Sequence, residues 1–334
     1  MTTAIASPVA PVRPSPWTKL GAPIDLRDAD DRTILARAGL DWKVRLAGLY
    51  TDGFSAVDGF RATVREDSGR ALGVVGLDYQ PLQNDQSLGL LRHLAQHAPM
   101  RIETAGSFKH GAQTWFQAKI DGMEIRVGDD VTECFLLASN SFDGSRAFML
   151  GLQGRRVVCQ NTLALANAQV QGNRRRTDLA KGHVIRHTKG MTVALQDALD
   201  TYTSALAARK VTQAAYEHLA SVSSSRALER AFLDRVFAAP SGPDESGRAA
   251  ALKKSREERI RQTLASATSN VRGTAGSAFA LLQSVVEYAD FFRPTRTSEG
   301  ENADAARLFS ANFGGSGADL KERAWATILD LTHA

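Results

Sequence analysis

Cysteine is scarce in this 334-residue chain, which contains only Cys134 and Cys159. Each stands between apolar neighbours in strand-like text, so we expect buried free thiols in a reducing cytoplasm rather than a disulfide. No uninterrupted apolar run reaches the roughly 18 residues that a bilayer-spanning helix needs, and we expect no membrane partner. Residues 1–16 contain four prolines and lack a basic start, which favours a disordered arm over a secretory signal.

Signatures of the common enzyme classes are also absent from the sequence. It has no Walker-type glycine loop, dinucleotide fingerprint, nucleophile elbow or Cys-x-x-Cys pair. The run Gly314-Gly315-Ser316-Gly317 indicates a hinge rather than a phosphate cradle, because no Lys-Ser/Thr pair follows it. We therefore expect a protein without a cofactor that is not an enzyme.

The first half of the chain predicts mainly β-structure. Alternating or β-rich runs separated by turn signals predict strands at Phe60–Arg65, Ala71–Tyr79, Arg101–Phe108, Gln113–Ile120, Thr132–Asn140, Arg146–Leu152 and Arg156–Cys159. Helices are predicted from Asn84 to about His97 and from about Thr162 to Val170. This order predicts an α+β fold that begins with an antiparallel β-meander and packed helices.

The second half predicts helices. Apolar residues recur at helical spacing over Leu195–Leu206, Leu228–Val236, Leu252–Leu264 and Asp319–Leu331, and an apolar helix over Ala278–Phe292 stops before Pro294. We expect a disordered arm at 1–16, an α+β core domain at 17–190, and a mostly α-helical C-terminal region at 191–334. The Ser/Gly/Pro-rich residues 241–247 are the clearest linker within that region.

Positive charge is concentrated in residues 151–190. The window holds one acid, Asp178, against eight basic residues, whereas the whole chain has a net charge of only +5. The basic residues are Arg155, Arg156, Arg174, Arg175, Arg176, Lys181, Arg186 and Lys189. A basic excess this local is typical of a polyanion partner, and a solvated basic loop is the alternative.

Five sequence segments carry a resemblance to a known family. They are Leu72–Asn84 with Tyr-Gln-Pro-Leu-Gln-Asn, Glu103–Ser107 (Glu-Thr-Ala-Gly-Ser), Asn140–Ser145 (Asn-Ser-Phe-Asp-Gly-Ser), Arg155–Leu163 (Arg-Arg-Val-Val-Cys-Gln-Asn-Thr-Leu) and Ile185–Gly190 (Ile-Arg-His-Thr-Lys-Gly). In this order they resemble the phage/plasmid-like family of unknown function (domain of unknown function 932), over about Trp17 to Phe292. One departure follows Gly273-Thr274, where the family usually has a Trp. The resemblance implies a setting in mobile elements and no assigned reaction.

Nucleic-acid contacts are predicted within the basic window. Arg174, Arg175 and Arg176 follow Gly172-Asn173, so a loop would hold them close to phosphates, although a plain surface turn is the alternative. In a strand, neighbouring Arg155 and Arg156 point to opposite faces, so at most one faces a given groove and the other pairs with a carboxylate. The remaining predicted contacts are Lys181, Arg186, His187 and Lys189.

Metal binding is not expected. His183 and His187 lie in text that favours a strand, where that spacing spans about 13 Å. Asp129, Asp130 and Glu133 form the best acidic cluster, and Asp143 lies in a Ser-rich turn. Both groups are more typical of turns than of a metal-dependent nuclease.

Three hypotheses follow. The first is a single-stranded DNA- or RNA-binding protein that forms homo-oligomers. Its finer form is a single-strand annealing protein in mobile-element recombination. The order helix, meander, helix is similar to the core of phage-type annealing proteins, which assemble as rings or filaments. The second is a protein-interaction module that uses its helical half, and the third is a metal-dependent nuclease that uses Asp129, Asp130, Glu133 or Asp143.

Overall fold

The computed structural model describes residues 14–24, 30–97, 99–164, 183–185, 187, 209–238, 247–266, 268–297 and 302–333. The fold is α+β, as the sequence predicts, with antiparallel sheets in the first half and helices in the second. Among the described helices, none has both the length and the apolar character needed to cross a bilayer.

An antiparallel sheet of eight strands forms the centre of the protein. Its strands are β1 (Ala22–Pro23), β5 (Met100–Phe108), β6 (Gln113–Ile120), β7 (Ile125–Val127), β8 (Asp130–Ser141), β9 (Phe148–Arg156), β10 (Thr162–Ala164) and β11 (His183–Ile185). The order is β1-β5-β6-β8-β9-β10, with β7 beside β8 and β11 beside β9. The predicted meander is thus confirmed, and so is the strand expected around Val184.

A smaller sheet of three strands lies beside it. This sheet has the order β2 (Val44–Ala47), β3 (Phe60–Arg65) and β4 (Ala71–Gly76). It approaches the turn after β8 closely, because a Cβ atom on Gly73 would lie 2.5 Å from the Cα atom of Asp143. The hydroxyl of Thr63 donates to the carbonyl oxygen of Phe142 at 2.7 Å and fixes the contact.

The helices surround the larger sheet. They are α1 (Pro16–Leu20), α2 (Asp31–Ala38), α3 (Asn84–His97), α4 (residues 209–221), α5 (Arg226–Val236), α6 (Gly247–Leu264), α7 (Ala278–Glu287), α8 (Ala303–Asn312) and α9 (Ser316–Thr332). Side-chain caps begin several of them, since Ser225, Ser277 and Asn302 each accept a hydrogen bond from a backbone amide in the first turn. A π-helical turn, Tyr288–Phe292, continues α7.

Both faces of the central sheet are buried, because the strands alternate between two apolar layers. On one face, Phe116, Leu136 and Leu150 join a large cluster that also contains Phe279 and Ile328. On the other, a smaller cluster contains Trp17, Phe108, Trp115, Leu137, Leu308 and Phe313. Each cluster unites residues from both halves of the sequence.

The expected segment boundaries are only partly visible. Of the arm predicted at 1–16, residues 1–13 lie outside the described part of the chain, and Pro16 begins α1. The boundary at 190/191 lies outside it as well. So does the linker at 241–247, except for Gly247, which begins α6.

The helix predicted from Thr162 is wrong at its start. Residues Thr162–Ala164 form β10 and pair with Gln153–Arg155 of β9. The chain reverses between the two strands, where Gln160 adopts a left-handed backbone with φ 59°. This tight turn directs the segment back onto the sheet before a helix can begin.

Candidate nucleic-acid interface

Arg156, one of the predicted nucleic-acid contacts, is buried in an ion pair. Its side chain is 1% exposed, and its Nε lies 2.9 and 2.8 Å from the two carboxylate oxygens of Asp130. The Oγ1 of Thr274 donates to the same carboxylate at 3.2 Å. Arg156 therefore joins β8 and β9 to the C-terminal half, and its guanidinium does not reach solvent.

Arg155 is buried on the opposite face of β9. Its Nη2 lies 2.8 Å from Glu103 and 3.3 Å from Glu133, and its guanidinium lies 4.0 Å from the ring centroid of Phe135. Alternation correctly separates the two arginines, but both pair with carboxylates. The structure therefore does not support phosphate contact by Arg155 or Arg156, because each is already neutralised inside the protein.

His187 also faces inward. Its side chain is buried, its Nδ1 lies 3.2 Å from the carbonyl oxygen of Gln80, and its ring centroid lies 5.0 Å from that of Tyr79. Burial lowers the pKa of His187, so the neutral ring is favoured. The other predicted contacts, Arg174, Arg175, Arg176, Lys181, Arg186 and Lys189, lie outside the described residues.

Three of the family-like segments meet at one place. The hydroxyl of Tyr79 donates to the carbonyl oxygen of Ser141 at 2.7 Å, and His187 packs on the same ring. Asp143 accepts hydrogen bonds from Ser141 at 2.6 Å and from the backbone amide of Ser145 at 3.0 Å. Burial opposes ionisation of Asp143, but these bonds outweigh it and lower its pKa. The cluster holds a turn together, as its Asx and Ser residues predict.

The carboxylates of the nuclease hypothesis do not form one metal site. Asp129 pairs with Arg272, Asp130 with Arg156, and Glu133 with Lys119 and Arg155, while Asp143 serves its own turn. No group of three potential metal ligands occurs among the described residues. Aromatic side chains stack on bases in single-strand binders. Phe108, Trp115, Phe116 and Phe142, the large aromatic residues on and beside the meander, are buried in the core instead.

A cleft of about 530 Å³ in the helical half contains a different set of cations. One wall is the face of α6 that carries Arg256 and Arg259, and the other is the segment that follows the π-helical turn. The full lining is Leu252, Ser255, Arg256, Arg259, Tyr288, Phe292, Arg293, Pro294, Thr295 and Arg296. We call this feature the arginine cleft. Among the described residues, no acidic side chain lines it.

The guanidiniums of the arginine cleft lack carboxylate partners in the described part of the chain. Arg259 instead lies over the ring of Phe292, 5.0 Å from its centroid. Arg293 is partly buried, and burial lowers its pKa. The neighbouring cations Arg256 and Arg323 act in the same direction, and Tyr288 and Asp319 act in the opposite one. Like charges held this close favour an anion between them.

The opposite flank of the same helix differs in this respect. Lys253 lies 2.9 Å from Asp234, and Arg261 lies 2.9 Å from Glu229 of α5. These pairs satisfy the cations on that side. Helix α6 therefore has one flank of cations paired with carboxylates and one flank, with Arg256 and Arg259, whose cations have no carboxylate partner among the described residues.

The π-helical turn positions the second wall of the arginine cleft. Asp290 in this turn is buried, with Oδ1 2.6 Å from the Nζ of Lys321 and Oδ2 accepting from the backbone amide of Thr162 at 2.8 Å. Thr162 also accepts from Lys321 through its carbonyl and from Trp17 through its hydroxyl. The wall is thereby tied to β10 and α9, and π-helical turns of this kind are frequent at functional sites.

Sequence patterns indicate only part of this cleft. They place Arg256 and Arg259 on a basic face of α6 that Glu257 and Glu258 dilute, and they do not lead to Arg293 or Arg296. The available signal was the run Phe-Phe-Arg-Pro-Thr-Arg at 291–296, where aromatic and basic residues alternate just after an apolar helix.

Comparison with known families gives one match. Residues 71–311 match the family model described as a domain of unknown function, DUF932. The match covers well over half of the chain and includes the five segments noted in the sequence as well as the arginine cleft. No curated protein and no solved structure matches the chain.

Proposed function

The chain belongs to the DUF932 family, whose name assigns no activity, and we propose that it binds single-stranded nucleic acid through the arginine cleft. The observation that carries this proposal is the set of four arginines, Arg256, Arg259, Arg293 and Arg296, which line one cleft without carboxylate partners among the described residues. Arginine suits phosphate oxygens because its planar fork donates two parallel hydrogen bonds.

Binding of this kind is mainly electrostatic. Each phosphate contact releases counterions, so affinity falls steeply with salt. Because the arginines would contact the phosphates, the bases stay free to pair with a complementary strand. Strand annealing in mobile-element recombination, with DNA or RNA as the substrate, is the finer form of the proposal. Homo-oligomerisation would align several clefts along one strand and add avidity.

The predicted basic residues of the window 174–189 remain part of this proposal. Arg174, Arg175 and Arg176 form the longest run of basic residues in the sequence, a pattern suited to further phosphate contacts. In this proposal the protein acts in the cytoplasm, where a reducing environment keeps Cys134 and Cys159 as thiols.

A matched pair of double variants tests the proposal. Arg256→Gln with Arg259→Gln removes two charges from the cleft flank of α6, and Lys253→Gln with Arg261→Gln removes two charges from its paired flank. Fluorescence anisotropy with a labelled single-stranded oligonucleotide is measured over a range of salt concentrations. We expect the first variant to lower the slope of log K against log salt by about 1.4, two contacts at about 0.7 each. Equal effects of both variants, or no binding by the wild type, would overturn the proposal.

A second function, protein interaction, is supported by a separate observation. Several large apolar side chains in and beside the three-stranded sheet are exposed. They are Tyr50 (66% exposed), Phe54 (88%), Phe60 (52%), Val74 (55%) and Leu77 (53%). Exposed apolar groups gathered on one element are typical of binding surfaces. If a protein partner binds here, Phe54→Ser should weaken its capture without changing the salt slope of nucleic-acid binding.

A further inference from the structure

The charge of the arginine cleft exceeds what an internal stretch of nucleic acid supplies. Pockets of about 300–1,000 Å³ hold one drug-sized ligand, so a cleft of about 530 Å³ has room for roughly one or two nucleotides. An internal nucleotide carries a single negative charge on its phosphodiester. One or two such charges leave at least two of the four guanidiniums without a counter-charge.

A phosphomonoester at the end of the strand reduces this imbalance. A terminal phosphate carries about −1.5 to −2 charges near pH 7 and presents three strong acceptor oxygens, so a terminal nucleotide and its neighbour bring about −2.5 to −3 charges where two internal nucleotides bring −2. Arginines on two walls can then share three acceptor oxygens of the same group, whereas an internal diester offers them only two. Arg256 and Arg259 approach from α6, and Arg293 and Arg296 from the segment after the π-helical turn.

The remaining lining suits the nucleoside that carries such a phosphate. Leu252, Tyr288, Phe292 and Pro294 give the cleft an apolar side. Because Tyr288 is buried and Arg259 lies over the ring of Phe292, this side offers a nucleoside apolar contact rather than an open ring for stacking. The cleft thus joins an anion-binding wall to an apolar wall at the scale of a single nucleotide.

From this match of charge and size we infer that the arginine cleft binds the phosphorylated end of a nucleic-acid strand, a terminal phosphomonoester with its nucleoside. The inference rests on the proposed nucleic-acid binding and specifies its substrate. The same chemistry occurs in a free nucleoside monophosphate, so the experiment has to separate the two sources.

The experiment uses the full-length protein and three internally labelled single-stranded oligonucleotides of one sequence. The first has a 5′-phosphate, the second a 3′-phosphate, and the third hydroxyls at both ends. We expect one phosphorylated form to bind about tenfold tighter than the hydroxyl form, as one or two added charge-assisted hydrogen bonds would give. Tight and equal binding of all three would overturn this inference and leave nucleic-acid binding intact, whereas no binding of any form would overturn both.

Variants and a competitor complete the test. Arg296→Gln, an exposed position that is safe for folding, and the double variant Arg293→Gln with Arg296→Gln should abolish the preference for the phosphorylated end. Lys253→Gln with Arg261→Gln should retain it. A nucleoside monophosphate should compete only at concentrations far above those of the phosphorylated oligonucleotide. Competition at equal concentration would assign the cleft to free nucleotides and overturn the strand-end assignment.

Discussion

Arg156 and Asp130 form an ion pair that is almost completely withdrawn from solvent, with side chains 1% and 2% exposed. The pair spans neighbouring strands, since Arg156 ends β9 and Asp130 begins β8. Two opposite charges in this position are tolerated because each satisfies the other and the fork of the arginine matches the carboxylate. The beginning of strand β8 therefore depends on a single arginine.

Asp130→Asn is expected to lower the free energy of unfolding by about 3–5 kcal/mol, because it leaves the Arg156 charge buried without a partner. Urea denaturation followed by tryptophan fluorescence measures the change. Asp129→Asn is the matched control, since the adjacent carboxylate pairs with Arg272 at the surface. Its effect should be much smaller, and equal losses for the two variants would contradict the buried pair.

Arg155→Gln is expected to reduce stability without changing nucleic-acid binding. Glu103 and Glu133 lose their shared cation, so the urea midpoint should fall. The salt slope of oligonucleotide binding should remain that of the wild type, because the guanidinium is buried. A slope reduced as far as in the Arg256/Arg259 double variant would show instead that Arg155 contacts phosphate.

Asp143 is expected to stabilise the protein only when ionised. Because hydrogen bonds hold its pKa below the ordinary value, its contribution is present above the unfolded pKa of about 3.9 and is lost as the pH falls through the folded pKa. Asp143→Asn should thus be less stable than the wild type at pH 7, and the gap should narrow below about pH 4. Thermal unfolding at a series of pH values measures this, and a gap that is constant with pH would contradict it.

Neither cysteine is expected to react in the native protein. Burial raises the pKa of both Cys134 and Cys159 to about 12, so at pH 8 only about one thiol in ten thousand is a thiolate. Ellman's reagent should release no rapid colour from the folded protein and two equivalents in concentrated urea. Rapid release of one equivalent without denaturant would show that one of the two thiols is accessible.

Much of the fold follows from local sequence signals. The strand at Phe60–Arg65 and the helix over Asn84–His97 have the predicted bounds, because alternation, turn residues and Pro81 and Pro99 mark their ends. The sequence wrongly predicts a helix that begins at Thr162–Ala164. The chain reverses just before it at Gln160, which has a left-handed backbone, and because this residue is not a glycine the sequence gives no signal of the turn. Local signals of this kind predict individual strands and helices, but they do not predict which strands and helices pack together.

The candidate site depends on those partners. Charge density in the sequence draws attention to Arg155 and Arg156, but their acids lie on other parts of the sheet, and only strand register brings them together. Conversely, Arg259 and Arg293 are 34 positions apart in the sequence and share a cleft only because α6 packs beside the π-helical turn. The net charge of a segment does not show which of its cations pair with a carboxylate in the folded protein and which do not.

The contacts of Thr162 have a consequence for synthesis of the protein. Its hydroxyl accepts from Trp17, 145 residues earlier, and its carbonyl accepts from Lys321, 159 residues later. At roughly 5–20 residues per second, a ribosome takes about 8–32 s to travel from Thr162 to Lys321. During that time the nascent sheet lacks α9, and the apolar side chains that α9 covers remain exposed. Chaperones bind such exposed apolar surface, and without them it favours aggregation. The sheet is thus completed only once α9 has been synthesised, and truncations that remove α9 should lower the yield of folded protein more than their length suggests.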